Sequence, residues 1–394
     1  MAEDPRDWSD ETKLVRGGMA RSPYGEISEA LYLTQSFAYE SAAAADARFA
    51  GDAPGFIYQR FGNPTTQMFE DRLALLEGAE QCRATASGMA AVQMSLMGLV
   101  RAGDHVVAGR ALFGSCRWIC SEWLPRFGVE TTFVDATDIE AWKNAVRPNT
   151  RAFLVETPAN PLLEVTAIGA VAEVARAAGA KLVVDNVFAT PIFQKPLALG
   201  ADIVVYSATK HIDGQGRVLG GAILGGGELM TEAYKDMLRH TGPALSPFNS
   251  WVLLKALETL ELRVRRQTEN AAKIADVVAA HAKARAVRYP GRPDHPQAAI
   301  IANQMSGGGN VLAFDLGSRE TAWRFLDALQ IVDISNNLGD AKSMATHPST
   351  TTHRSMPEAE RIAIGLTEGW VRMSVGLEGA GDLSRDVSRA LDAA

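Results

Sequence analysis

The sequence predicts an α/β protein with a mostly parallel central sheet in a large domain, a smaller α/β C-terminal domain and an N-terminal arm. Three observations lead there. Between Asp104 and Gly225, short β-branched runs alternate with helical segments, the pattern of a parallel sheet covered on both faces. Near Pro247 the alternation gives way to a long helical stretch, and two further strands follow it. Residues 1–60 show neither a helical nor a strand period. A chain of 394 residues has room for two or three domains, and the expected division is 1–60 (arm), 61–255 (large domain) and 256–394 (smaller domain).

Composition narrows the function classes. The chain is 47% hydrophobic and 22% charged, ordinary for a soluble globular protein. A net charge of -7 argues against nucleic acid as the main partner. The cysteines Cys82, Cys116 and Cys120 are too few for a disulfide framework and point to a reducing compartment. No Cys/His group has zinc spacing, so no metal is expected. MAEDPRDWSDETKL contains no apolar core segment and no run reaches membrane-spanning length, so a cytoplasmic protein without membrane contact is expected.

In the arm, polar residues alternate with Tyr24, Tyr32, Phe37, Tyr39, Phe56 and Tyr58. Such an arm packs on a partner subunit or wraps its own domain, and the residues leave both open. Asn63-Pro64 marks a turn, with Thr65 or Thr66 expected to cap the helix MFEDRLALLEGAE, which Gly78 stops. A short strand ends at Ala86, and Ser87-Gly88-Met89 opens a helix of small and apolar residues. Its free amides favour a phosphate, although a strand-glycine-helix step is common. HVVAG, VETTFVD, RAFLVETP, KLVVDN, ADIVVYS and GGAILG read as strands, with helices around Trp118 and Trp123 and over IGAVAEVARAAG. WVLLKALETLELRVRRQTENAAKIADVVAAHA reads as a helix broken once. NVLAFDLG and VRMSVGLE are strands of the smaller domain. SRETAWRFLDAL and the chain end are helices. Residues 289–309, rich in Pro and Gly, are expected to be an exposed excursion, and Asn336–His353 a polar loop facing substrate.

Chemistry concentrates in VVYSATKHIDGQGRVLGG, from Val204 to Gly221. The apolar run delivers Ser207, Thr209 and Lys210 to a loop at its end. A lysine there can have its amine pKa lowered and condense with an aldehyde. The two hydroxyls suit the phosphate of that same aldehyde, and pyridoxal 5'-phosphate carries both groups. On these residues alone, a surface lysine in a polar turn fits as well. Asn160 and Asp185 shift the balance. With Ser207, Thr209 and Lys210 they all fall at or just beyond the carboxyl ends of predicted strands, where parallel sheets bind ligands.

The motifs YQRFGNPT (58–65), SGMAA (87–91), ETPANP (156–161), VVDNVFATP (183–191), YSATKHIDG (206–214), TGPALSPF (241–248) and VRMSVGLE (371–378) resemble those of the cysteine/methionine-metabolism pyridoxal-phosphate enzymes. The resemblance spans nearly the whole chain. It implies the type-I pyridoxal-phosphate-dependent transferase fold and a homotetramer of active dimers. It implies that Lys210 holds pyridoxal 5'-phosphate covalently and then moves protons. Asp185 would bond the pyridine nitrogen and Asn160 the ring hydroxyl. Ser207, Thr209 and the amides of Gly88 and Met89 would hold the phosphate. Tyr58 and Arg60 would serve a neighbouring subunit's cofactor, with Tyr58 also near substrate. Arg372 would clamp the substrate α-carboxylate in a bidentate fork, with Asn337 beside it.

Two departures bear on specificity. Phe113 stands where the family usually stacks a tyrosine on the ring, so acid/base work falls to Lys210 or water. Asn336 and Asn337 precede Leu338-Gly339 where transsulfuration enzymes carry a glutamate suited to a second ammonium, which favours a small thiol such as sulfide. GEISEALYLTQSFAYESAAAADARF and NNLGDAKSMATHP resemble the branch of the family that exchanges the ester of O-succinyl-L-homoserine for sulfide. Cystathionine synthesis, O-acetylhomoserine as electrophile, γ-elimination of methionine or cystathionine, and a non-enzymatic cofactor-binding relative are the alternatives. Ser115 takes the place of a reactive cysteine, and Cys116 is read as helix packing. His211 is read as packing, His240, His347 and His353 as loop or surface residues, and Arg263, Arg265 and Arg266 as a solvated helix face or an intersubunit salt bridge.

Overall fold

The computed structural model describes residues 4–394. Its larger sheet has strands β1 (Gln81–Thr85), β2 (His105–Gly109), β3 (Glu130–Val134), β4 (Thr150–Glu156), β5 (Lys181–Asp185), β6 (Ile203–Ser207) and β7 (Gly221–Gly225). They lie in the order β1-β7-β6-β5-β4-β2-β3. Five neighbours, β3, β2, β4, β5 and β6, pair in parallel, and β7 runs antiparallel to β6 and β1. Successive side chains leave opposite faces of a strand, and the burial follows. Val106 and Ala108 pack with Leu96 and Ile119 on one side, and Val107 packs with Trp142 and Ile168 on the other. The sheet is thus buried on both faces, as the apolar runs implied.

Parallel pairing brings the strand ends to one edge. Glu156 of β4 lies opposite Asp185 of β5, which lies opposite Val205 of β6. Polar residues that end these runs therefore arrive side by side at the edge where the apolar core stops.

A second sheet consists of β8 (Ala286–Arg288), β9 (Val311–Asp315), β10 (Asp333–Ile334), β11 (Met344–Thr346) and β12 (Trp370–Ser374), in the order β10-β11-β12-β9-β8. Leu312, Phe314, Val371 and Met373 pack there against Ile274, Phe325, Leu383 and Val387. The long helical stretch breaks between helices Pro247–Leu257 and Leu260–Ala279. The first half packs Leu254 and Leu257 beneath the large sheet, and the second packs Ile274 and Val278 into the small one.

Several local expectations need correction. Asn63, not a threonine, caps helix Pro64–Glu77. Its side chain accepts from the Thr65 amide at 2.9 Å and Pro64 occupies the first turn, a favoured start. The helix around Trp118 and Trp123 is α only over Gly114–Trp118, and a π turn and a 3-10 turn follow it. Residues 289–309 are not an exposed excursion. They contain helix Ala298–Gln304, and Tyr289, His295, Ile301 and Met305 are buried. Ile301 and Met305, one helical turn apart, fill a cluster with Val165 and Ala189. The 336–353 segment is largely buried and forms β11 within it, and His347 and His353 are buried rather than at the surface. Arg263 is not a solvated residue. It is buried and donates to the carbonyls of His211, Ile212 and Ala256.

The arm contains helices Asp10–Arg16 and Ala42–Ala50. Glu29 anchors it through the buried guanidinium of Arg72 and through Lys255, 3.0 Å away. Tyr24 (95% exposed) and Ile27 stand in solvent in the single chain.

Candidate active site

At the shared edge of β4, β5 and β6 lies a cavity of about 250 Å³. Lys210 enters it from the turn that follows β6, where its amide donates to Ser207 O at 3.2 Å. Its Nζ donates to Asn337 Oδ1. Burial, helped by the nearby charge of Arg372, pushes the amine down to about 8. A substantial neutral fraction therefore exists near neutral pH, the form that attacks carbonyls.

Asp185 closes β5 and faces the same cavity. Its Oδ1 accepts from the Val187 amide at 3.1 Å. Burial and a close second carboxyl, Glu156, push this pair upward. No lysine or arginine forms an ion pair with either carboxyl among the described residues. A buried carboxylate without a cation is costly, so Asp185 is suited to a ligand that brings a protonated nitrogen.

The opposite end is built for an anion. Helix Gly88–Met97 begins there, and Ser87 caps it by accepting from the Ala90 amide at 3.1 Å. The amides of Gly88 and Met89 stay free at the positive end of the helix. Gly88 presses so closely on Ser207 that a Cβ would meet the serine Cβ at 2.5 Å. Glycine alone fits, and Ser207 Oγ is held next to those amides. Thr209 lines the cavity too, with its hydroxyl 3.2 Å from both the amide and the carbonyl of Gly220.

The remaining wall comes from Phe113, Asn160 and Arg372. Phe113 is 36% exposed and lines the cavity. Arg372, on β12, is 2% exposed, and burial lowers it to about 10. Its Nη1 donates to Asn160 Oδ1 and its Nη2 to the Asn336 carbonyl, both at 2.8 Å. Arg372 Nε is buried without a partner, which leaves one donor of a pre-oriented guanidinium free for a carboxylate. An anion pocket, a condensable amine, a cation-seeking carboxyl and a flat aromatic wall together fit pyridoxal 5'-phosphate.

The structure therefore brings together Lys210, Asp185, Asn160, Ser207, Thr209, Gly88, Met89, Phe113 and Arg372, with Asn337 on the lysine. Tyr58 and Arg60 stand elsewhere in the same chain. Arg60 stacks on Tyr58 and Phe61, donates to the Arg239 carbonyl and lines a separate basic pocket with Arg83 and Lys235. Cys116 is a buried wall residue whose thiol burial pushes well up. His211 Nε2 lies 2.6 Å from Asn310 Oδ1, and burial pushes the ring down to about 4. Sequence reasoning passed over Glu156, Val187, Phe188 and Leu219 as cavity residues. Glu156 was findable by the rule that found Asp185, since it too ends a buried strand.

Comparison with known proteins agrees with this geometry. The family model for the Cys/Met metabolism PLP-dependent enzymes matches residues 11–392. O-succinylhomoserine sulfhydrylase of Mycobacterium tuberculosis is 54% identical, covering 98% of this chain and 97% of its own. O-succinylhomoserine sulfhydrylase of Pseudomonas aeruginosa is 47% identical, over 97% and 95%. A crystal structure of a putative O-acetylhomoserine (thiol)-lyase from Campylobacter jejuni superposes with a TM-score of 0.94 at 29% identity, covering 98% of this chain and 100% of that one, and carries an N'-pyridoxyl-lysine-5'-monophosphate.

Proposed function

We propose that this chain, which belongs to the Cys/Met metabolism PLP-dependent enzymes, converts O-succinyl-L-homoserine and hydrogen sulfide to L-homocysteine and succinate. The observation that carries this reading is the near-full-length identity to two sulfhydrylases. The loop side of the cavity agrees with it. Asn336 and Leu338 supply an amide and an apolar surface there, and among the described residues the only carboxyls of the lining, Glu156 and Asp185, lie at the strand edge. Nothing on the loop side is suited to the second ammonium that cysteine would bring.

When bound, pyridoxal 5'-phosphate supplies an aldehyde that condenses with amines and a ring that withdraws electrons from the amino-acid Cα. The chain supplies position and proton transfer. Ser207, Thr209 and the amides of Gly88 and Met89 would hold the phosphate, and Asp185 would keep a proton on the ring nitrogen. Asn160 would bond the ring hydroxyl, and Phe113 would supply the stacking surface for the ring. Arg372 holds the substrate α-carboxylate, which fixes the Cα–H against Lys210. The neutral Lys210 amine takes that proton. A Cβ proton is then lost as succinate leaves Cγ. Hydrosulfide bonds to Cγ, and protons return to Cβ and Cα. Phe113 has no hydroxyl, so these transfers rest on Lys210 or water. Tyr58 and Arg60 would complete the phosphate site of a neighbouring subunit, in a homotetramer of active dimers joined in part through the 1–60 arm. The 61–255 and 256–394 domains would both furnish the site, Lys210 coming from the first and Arg372 from the second. Among the described residues, no helix is long and apolar enough to cross a membrane, and a cytoplasmic site suits a biosynthetic step.

A steady-state assay of O-succinylhomoserine with sulfide, with cysteine or with no thiol tests the reading. Homocysteine formed most efficiently from sulfide is expected. Preference for cysteine would reassign the chain to cystathionine synthesis, and 2-oxobutyrate without thiol to γ-elimination. A protein that stays colourless with added cofactor would sink the enzyme reading.

A further inference from the structure

Glu156 is a buried acid that feels the charge of Arg372 but makes no direct ion pair among the described residues, and a carboxyl in that position needs a reason. At the end of β4 it is 3% exposed. Its partners are two backbone amides. Oε2 accepts from the Phe113 amide at 2.7 Å, and Oε1 accepts from the Asn160 amide at 2.8 Å. A buried carboxyl is expensive to desolvate, and an apolar side chain would fill the same space at lower cost.

The two amides belong to segments far apart in sequence that meet in one wall of the cavity. Phe113 precedes helix Gly114–Trp118, which has no side-chain cap at its start. Behind it, Gly114 lies close to the Thr352 carbonyl, which a Cβ there would meet at 3.0 Å. Asn160 follows β4 and passes its own side-chain oxygen to Arg372 Nη1 at 2.8 Å. One planar carboxyl thus joins, in a continuous chain of bonds, the aromatic wall, the residue beside the ring hydroxyl and the guanidinium for the substrate carboxylate.

We propose that Glu156 is a positioning residue that straps together the two chain segments forming this wall of the site. By holding the Phe113 and Asn160 amides with its two oxygens, it sets the spacing between the ring-stacking face and the Asn160–Arg372 arm. The inference rests on the roles given above to Phe113, Asn160 and Arg372. The two oxygens of the carboxyl are a fixed distance apart and each is engaged by one amide, so the strap is rigid. Glutamine keeps one acceptor but turns an NH2 toward an amide N–H. Aspartate keeps the charge but is one methylene shorter, so it reaches one amide and loses the other.

The test uses Glu156→Gln and Glu156→Asp as holoenzymes, with cofactor content, circular dichroism of the bound cofactor's visible band, and kinetics for both substrates. Both variants are expected to retain cofactor and to show a changed dichroic band, which reports the ring's orientation. KM for O-succinylhomoserine should rise about tenfold and kcat fall roughly 10- to 100-fold, the scale of a misplacement near 1 Å. KM for sulfide should stay within about twofold, since no bond of the strap reaches the thiol. Full rescue by Glu156→Asp would make charge the role and overturn the strap. Wild-type dichroism and kinetics in Glu156→Gln would overturn it as well. Loss of fold in both variants would assign the carboxyl to folding alone and likewise end the proposal. The dichroism needs no particular substrate, so an error in substrate choice shows in the thiol assay and leaves this readout intact.

Discussion

The placement of Lys210 predicts how fast cofactor-stripped protein takes up pyridoxal 5'-phosphate as pH changes. Burial, then the charge of Arg372, lowers the Lys210 amine to about 8. A lowered pKa means the amine is protonated below pH 8 and neutral above it, so uptake should rise about tenfold per pH unit up to roughly 8 and then level. At pH 7 such a lysine is roughly 10% neutral. One with the ordinary pKa of about 10.4 is ~0.04% neutral, so the reactive fraction gains roughly 200-fold. The lower basicity of the amine offsets part of this gain in rate, but it leaves the slope and the break unchanged. Stopped-flow absorbance of Schiff-base formation reads both, above pH 7 where the cofactor phosphate, with a second pKa near 6, has finished titrating. Arg372→Leu removes the lesser of the two causes, so the break should move part of the way toward the ordinary lysine value. A break near pH 10 in the unaltered protein, or a flat profile from pH 7 to 10, would refute the assignment of a desolvated, cation-flanked amine.

Three further outcomes are expected. Lys210→Ala should hold cofactor non-covalently and lose turnover, with retained turnover in a homocysteine assay counting against its role. Gly88→Ala would set a methyl 2.5 Å from the Ser207 Cβ, so cofactor affinity by fluorescence titration should fall at least about tenfold, with secondary structure unchanged by circular dichroism. Trp142 is fully buried and stacks on Phe153 at 5.7 Å, in a cluster that shares no residue with the cavity lining. Trp142→Ala should cost about 3–5 kcal/mol in denaturant unfolding, with KM for the surviving folded enzyme unchanged.

What could be read in advance follows from how local each signal is. KLVVD and IVVYS announce buried strands because their β-branched runs have no polar face, and parallel pairing places Asp185 and Ser207 at one edge without further information. Phe113 and Asn336–Leu338 came from resemblance, because nothing in an aromatic before glycine or in a pair of asparagines says which cavity it enters. Arg263 looked like one member of a basic stripe. Its acceptors, the carbonyls of His211 and Ile212, lie about fifty positions away, so no window along the helix shows them. The 289–309 segment misled for a related reason. Its prolines and glycines speak of turns, and the turns are there, but they return Ile301 and Met305 to the core.

Glu156 shows where that locality ends, inside the site itself. As a strand-ending acid it carries the same signal as Asp185, its neighbour in register. What separates the two is invisible in one dimension. The oxygens of Glu156 are taken by the Phe113 amide, 43 positions earlier, and by the Asn160 amide, four later, while Asp185 keeps an oxygen free toward the cavity. An acid saturated by backbone donors orients its surroundings, whereas an acid left partly unsaturated is available to a ligand. Assigning their roles therefore required the hydrogen-bond partners as well as the strand ends, and the same criterion separates Arg372, with its buried unpartnered Nε, from Arg263, whose guanidinium is spent on carbonyls.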